Sequence, residues 1–142
     1  MADAAGLRTV VNWVTLATPL GLLIAAATGC RSRPGPRGLT YAVGHRHGFP
    51  RGAGITVGSV VILRDERLLA RPRLLAHEER HATQWAACLG IVGFPILYAG
   101  SSAWSWLVTG DAHSRNCFER RAGLADGGYH ERPLRWQRSR AL

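Results

Sequence analysis

Residues 86–108, AACLGIVGFPILYAGSSAWSWLV, contain no charged side chain. A stretch that long and apolar must be covered, either by lipid or by the rest of the chain. A second such run, TVVNWVTLATPLGLLIAAATG, occupies residues 9–29. It has the length of a bilayer-spanning helix, and Asn12 and Pro19 weaken that signal without abolishing it. A cleaved signal peptide fits poorly, because only Arg8 precedes the run and Asp3 offsets it. RSRPGPRG follows directly at 31–38, and its three arginines place that flank on the cytoplasmic side. We therefore expect a retained N-terminal membrane helix, with a buried core helix as the alternative. RSRPGPRG itself reads as a juxtamembrane linker, because two prolines and two glycines discourage regular structure.

One domain remains between the linker and the C-terminus. LTYAVGH (39–45) and GITVGSVVILR (54–64) are rich in β-formers and enclose a glycine- and proline-punctuated loop. They predict a short antiparallel β-hairpin. His45 and His47 at the loop margin could share a strand face and bind metal, but an exposed loop end accounts for them more simply. Pro72 suits the first turn of a helix, and Leu75, Ala82, Trp85, Ala86 and Leu89 recur at helical spacing behind it. TGDAHSRN then forms a polar turn into CFERRAGLADGG, a short helix stopped by glycines. The tail, 130–142, lacks apolar periodicity and reads as a mobile or membrane-contacting end. The expected fold is α+β and mainly helical. Its domains are the membrane helix (1–30), the linker (31–38), a folded domain (39–129) and a basic tail (130–142).

Charge narrows the partners less than its size suggests. All 18 basic residues are arginine, and the formal charge is +9. The absence of lysine reads as the habit of a high-GC bacterial genome. The arginines are scattered and no aromatic-interleaved motif accompanies them, so nucleic acid is not an expected partner, and anionic lipid headgroups would satisfy the charge equally well. Cys30, Cys88 and Cys117 form neither a disulfide framework nor a metal knuckle.

The chemistry lies in HEERH, residues 77–81. On a helix the i,i+4 spacing puts His77 and His81 on one face, one turn apart, where both imidazoles reach one cation. Glu78 is turned by about 100° from His77. It flanks the metal as a general base rather than joining it. Two imidazoles, one further ligand and an open water position describe a catalytic Zn2+ site. The third ligand must come from another element, and Asp111, His113 and Glu119 are the candidates. Glu119 sits on the expected short helix, where a carboxylate can be aimed rigidly. Asp111 more naturally caps a turn, and His113 faces solvent.

HEERHATQ followed by NCFERRA resembles the H-E-x-x-H-x-x-Q and N-x-x-E-x-x-A patterns of glutamate-zincin metallopeptidases. It is similar above all to small bacterial HExxH proteins associated with membranes. The resemblance covers roughly residues 55–129. It implies His77, His81 and Glu119 as zinc ligands and Glu78 as base, with zinc-bound hydroxide attacking a peptide carbonyl. It also implies that strand 55–63 is an edge strand beside the metal helix, pairing with a peptide or protein substrate. Tyr129, His130 and Arg120 are the groups that could stabilise an oxyanion. Gln84 either orders a ligand or is polar surface. A non-catalytic, zinc-stabilised module binding lipid or a partner is the alternative function.

The metal reading also constrains the second apolar run. His81 precedes it and Glu119 follows it, so one crossing of a roughly 30 Å hydrocarbon core would separate two ligands of one ion. Gly90, Gly93 and Pro95 then suggest a bend, giving an apolar helical hairpin that is re-entrant, interfacial or simply core. Trp104 and Trp106 suit the headgroup level. The expected location is the cell membrane, with the catalytic domain on the cytoplasmic side.

Overall fold

The computed structural model describes residues 3–45, 48 and 52–138. It is an α+β fold built around a four-stranded mixed sheet. Helices α1 (Ala4–Val14) and α2 (Ala17–Ala27) lead into strands β1 (Arg31–Pro34) and β2 (Thr40–Val43), then β3 (Gly54–Val57) and β4 (Val60–Leu63). The remainder is helical: α3 (Pro72–Ala87), α4 (Gly90–Thr109), α5 (Cys117–Ala122) and α6 (Arg135–Arg138).

The sheet order is β1-β2-β4-β3. The segments expected to form one hairpin, 39–45 and 54–64, pair differently. Residues 54–64 fold back on themselves, so β3 and β4 are antiparallel to each other, whereas β2 lies parallel to β4. The reversal occurs at Gly58–Ser59, where Gly58 adopts φ +61. A two-residue hairpin loop favours positive φ, and a side chain on Gly58 would run into the backbone of Ala17 and Thr18. All four residues of β4 are buried, as befits a strand covered on both faces. The supposed linker is also ordered. Arg31–Pro34 forms the edge strand β1 against β2, with proline at its end, where a missing donor is tolerated.

Residues 9–29 do not make one straight helix. The chain turns at Thr15–Leu16, and the axes of α1 and α2 differ by 73°. Each helix has 11 residues, about 16 Å, half of what a hydrocarbon core requires. The buried face of α1 is polar. Arg8 pairs with Glu79 of α3 at 2.8 Å and donates to the Arg37 carbonyl at 2.6 Å. Asn12 donates to the Ala82 carbonyl at 2.9 Å and to Ser59 Oγ at 3.1 Å. Thus Asn12, which weakens the membrane signal, is what docks α1 onto α3. The α2 helix buries small residues, Ala17, Thr18, Gly21 and Ala25, and a Cβ on Gly21 would strike the Val57 carbonyl.

The second apolar run turns once: Ala86 and Ala87 end α3, and the run from Gly90 to Val108 lies in the single helix α4. The reversal falls near its start, at Leu89 and Gly90, both left-handed with φ of 60 and 63, so Gly90 is the expected bend point that is used and Gly93 stays helical. Pro95 lies inside α4 without dividing it. The return path is then made by serines. Gly110 reverses the chain, and Asp111 Oδ1 accepts from the amides of His113 and Ser114. Ser105 Oγ accepts from the Arg115 amide, Ser102 Oγ from Asn116 Nδ2, and Ser101 Oγ from the Cys117 amide, at 2.7–2.8 Å. These bonds run the chain back along α4 and return α5 to the level of His81. The tail is anchored as far as residue 138: Arg135 and Arg138 donate to the carbonyls of Trp106 and Thr109 at the end of α4. Its last four residues lie outside the described residues.

Candidate metal centre

The buried stripe of α3 is Leu74, His77, Glu78, His81, Ala82 and Trp85. That is one helical face in which three of six positions are ionisable. Pro72 starts the helix, so HEERH falls in its middle turns, away from fraying ends. On α5, Asn116 caps the start by accepting from the Phe118 amide at 2.9 Å. Glu119 therefore occupies the first turn, directed at α3. His77, His81 and Glu119 are exposed by only 2%, 7% and 2%.

Three side-chain atoms converge. His77 Nε2 and His81 Nε2 are 3.0 Å apart, and Glu119 Oε2 lies 3.1 and 3.4 Å from them. The surrounding hydrogen bonds decide where the protons are. His77 Nδ1 faces the carbonyls of Ala122 and Gly123 at 3.2 and 3.0 Å, which only accept, so Nδ1 carries the hydrogen. Gln84 Nε2 donates to the Phe118 carbonyl, which turns its amide oxygen to His81 Nδ1 at 2.8 Å. Both Nε2 atoms thus present lone pairs. Glu119 Oε1 accepts from the Tyr98 hydroxyl, while buried Oε2 has no hydrogen bond of its own among the described residues. Three electron-rich atoms meet with no donor between them. Such a group is repulsive unless a cation sits at its centre, and it could hold a metal ion. Without a cation, a proton on an imidazole is the other means of relieving that repulsion. Burial opposes charge on both His77 and Glu119. The two carboxylates nonetheless raise His77, and the imidazoles with Tyr98 hold Glu119 well below the usual carboxylate range.

Glu78 lies beside this group and outside it. Thr56 Oγ1 donates to its Oε2 at 2.7 Å. Burial pushes its carboxyl above the ordinary glutamate range, against the opposing pull of Thr56 and the two imidazoles. A cavity of about 630 Å³ opens here, lined by Glu78, His81 and Glu119 and walled by Trp85, Phe94 and Tyr98. The edge strand beside α3 is Gly54–Val57 alone, since Val60–Leu63 is interior. Trp85 Nε1 donates to the Thr56 carbonyl at 2.8 Å and pins that edge to the metal helix.

The other candidates separate. Asp111 caps its turn. His113, expected to face solvent, is half-buried in the cavity wall: it stacks on Tyr129 with ring centroids 4.1 Å apart. Its Nδ1 stays 3.9 Å from Glu119 Oε1, on the side away from Oε2. Of the possible oxyanion groups, Tyr129 lines the cavity, Arg120 turns to Glu131 and the Ser114 carbonyl, and His130 is exposed. Gln84 orders His81. For the HRH pair, His45 is described, whereas His47 lies outside the described residues.

Sequence reasoning missed Tyr98, Thr56 and Gly127. The first hides in an apolar run and the second in a strand. Gly127 reads only as a helix stop, yet a Cβ there would lie 2.7 Å from His77 Nε2. Gly127→Ala is therefore expected to displace the His77 ring and weaken metal binding about 10–100-fold, the range found when a ligand's support is disturbed. Titration against a competing chelator measures it. Comparison with protein-family models, with curated proteins and with solved structures returned no match to this chain.

Proposed function

We propose that the protein is a zinc-dependent hydrolase acting on peptide bonds. The observation that carries this reading is the meeting of three lone-pair atoms, 3.0–3.4 Å apart, on the wall of the cavity that Glu78 also lines. A tetrahedral ion with bonds of about 2.0–2.1 Å holds its donors roughly 3.3 Å apart. Two imidazoles, one carboxylate and an open cavity are also the donor set of a catalytic site, not of a closed structural one. Zinc held there would acidify a water and polarise a carbonyl oxygen.

The chain's own residues supply the rest. Glu78, oriented by Thr56, takes a proton from the attacking water and returns it to the leaving nitrogen. Tyr129 is kept protonated by burial and offers an O–H toward the carbonyl oxygen, with His113 stacked behind it. The register of β3 on β4 turns the backbone groups of Gly54 and Thr56 outward; Trp85 takes the Thr56 carbonyl, and the Gly54 groups with the Thr56 amide are left along the cavity rim, where an extended peptide can add. These features accord with the resemblance to glutamate-zincin metallopeptidases. A purely structural zinc module is the weaker reading, because it has no use for a buried carboxylate beside the ligands.

The test is cleavage of an extended-peptide library by the full chain. Turnover abolished by a zinc chelator and restored by added zinc is the expected result. A zinc-loaded, folded protein that cleaves nothing would support the structural module instead.

A further inference from the structure

The outer face of α4 is uncovered. Val92, Ile96 and Leu97 are exposed by 67%, 69% and 52%, and no residue from Gly90 to Thr109 is charged. Two helix corners extend this face. Leu16 joins α1 to α2 and Leu89 joins α3 to α4. The corners touch, since a Cβ on Gly90 would strike the Thr15 side chain. Both leucines are left-handed, with φ of 61 and 60, and both project outward. Leucine is poorly suited to that conformation, which glycine adopts freely. Exposed leucine at two strained, adjacent corners is unfavourable in water and favourable against hydrocarbon.

We propose that this face lies flat on an anionic bilayer, and that the cavity draws its substrate, a peptide bearing large apolar side chains, from that membrane. Flat docking follows from what lies behind α4. The serine-bonded return segment 110–116 runs along its inner side, and Arg135 and Arg138 close its end. A spanning orientation would bury that irregular backbone in hydrocarbon. With α4 in the membrane plane, only its apolar side enters. Trp104 and Trp106 are exposed toward the C-terminal end of α4, Trp136 is exposed on α6, and Arg135 stacks on the Trp106 ring at 5.3 Å. Tryptophan with arginine suits the headgroup layer, and the +9 chain favours anionic lipid.

The cavity belongs to the same surface. Phe94, Pro95 and Tyr98 of α4 wall it, and Pro95 is itself exposed beside Ile96. An apolar side chain can therefore reach Glu78 and His81 without crossing polar surface. The substrate half rests on the hydrolase reading: water adds across the amide, its oxygen to carbon and a proton to nitrogen, and the C–N bond breaks. The docking half does not.

The test is flotation of the zinc-loaded full chain with vesicles of phosphatidylcholine and phosphatidylglycerol. Binding is expected, and the double variant Leu16→Gly/Leu89→Gly should reduce it about 10-fold or more while its melting temperature stays the same or rises. A second variant, Val92→Asp/Ile96→Asp, should lose binding and keep its zinc. Undiminished flotation of both variants would overturn the docking. So would wild-type protein that ignores vesicles and forms a dimer that these substitutions dissociate. In the hydrolysis arm, an apolar peptide embedded in vesicles should be cut faster than the same peptide in detergent-free solution by wild type alone. Equal rates overturn the substrate half. No cleavage of any peptide overturns the hydrolase reading together with the substrate half, and leaves the docking judged by flotation.

Discussion

Glu119→Ala is expected to lower zinc affinity by more than about 100-fold, because it removes one of three protein donors, beyond the 10–100-fold typical of a supporting residue. His77 and His81 remain on α3, but two imidazoles one turn apart do not close a catalytic site. The comparison that makes the result specific is with Asp111→Ala and His113→Ala. Asp111 spends Oδ1 on two backbone amides of its turn, and His113 Nδ1 stands 3.9 Å from the far oxygen of Glu119. Both variants should keep zinc within about tenfold of wild type, because neither side chain supplies a donor to the ion or a hydrogen bond to a ligand, the kind of support whose loss costs about 10–100-fold. Competition with a chelator of known affinity checks all three. Equal retention across them would remove Glu119 from the ligand set.

The second large effect concerns turnover rather than metal. Glu78→Gln should keep zinc and lose hydrolysis by about 10²–10⁴-fold, the usual contribution of a general base. The substitution is nearly isosteric, and an amide oxygen can still accept from Thr56 Oγ1, so the 2.7 Å contact that orients the side chain survives. What is lost is the ability to take a proton. Single-turnover rates on any peptide the wild type cleaves, with zinc measured in the same samples, separate the two roles. Normal turnover by the variant would mean that Glu78 is not the base.

The site was more legible in the sequence than the fold that assembles it. HEERH declares itself because two imidazoles four residues apart on a helix must share a face, and local geometry suffices for that. Glu119 could be favoured because a carboxylate on a capped helix is rigid. The partners that prepare these donors were invisible for lack of any local signal. Tyr98 reaches Glu119 across 21 positions, and Gly127 approaches His77 across 50. The fold's surprises share a cause. GITVGSVVILR reads as one strand because a Gly-Ser turn is short and both flanks are β-formers. The single helix of 9–29 fails because Leu16 adopts a left-handed conformation that leucine does not advertise. Of the bend points expected within 86–108, Gly90 is used, in a reversal with Leu89, while Gly93 and Pro95 stay inside α4. Proline and glycine mark the possibility of a bend, and only tertiary packing decides which of them is used.

In the proposed hydrolase His77, His81 and Glu119 together hold one zinc ion. Elemental analysis of the full chain, purified without chelators, tests it most directly. Close to one zinc per chain is expected in the wild type and far less in Glu119→Ala. A folded wild-type protein that carries no metal and takes up none when zinc is added would contradict it.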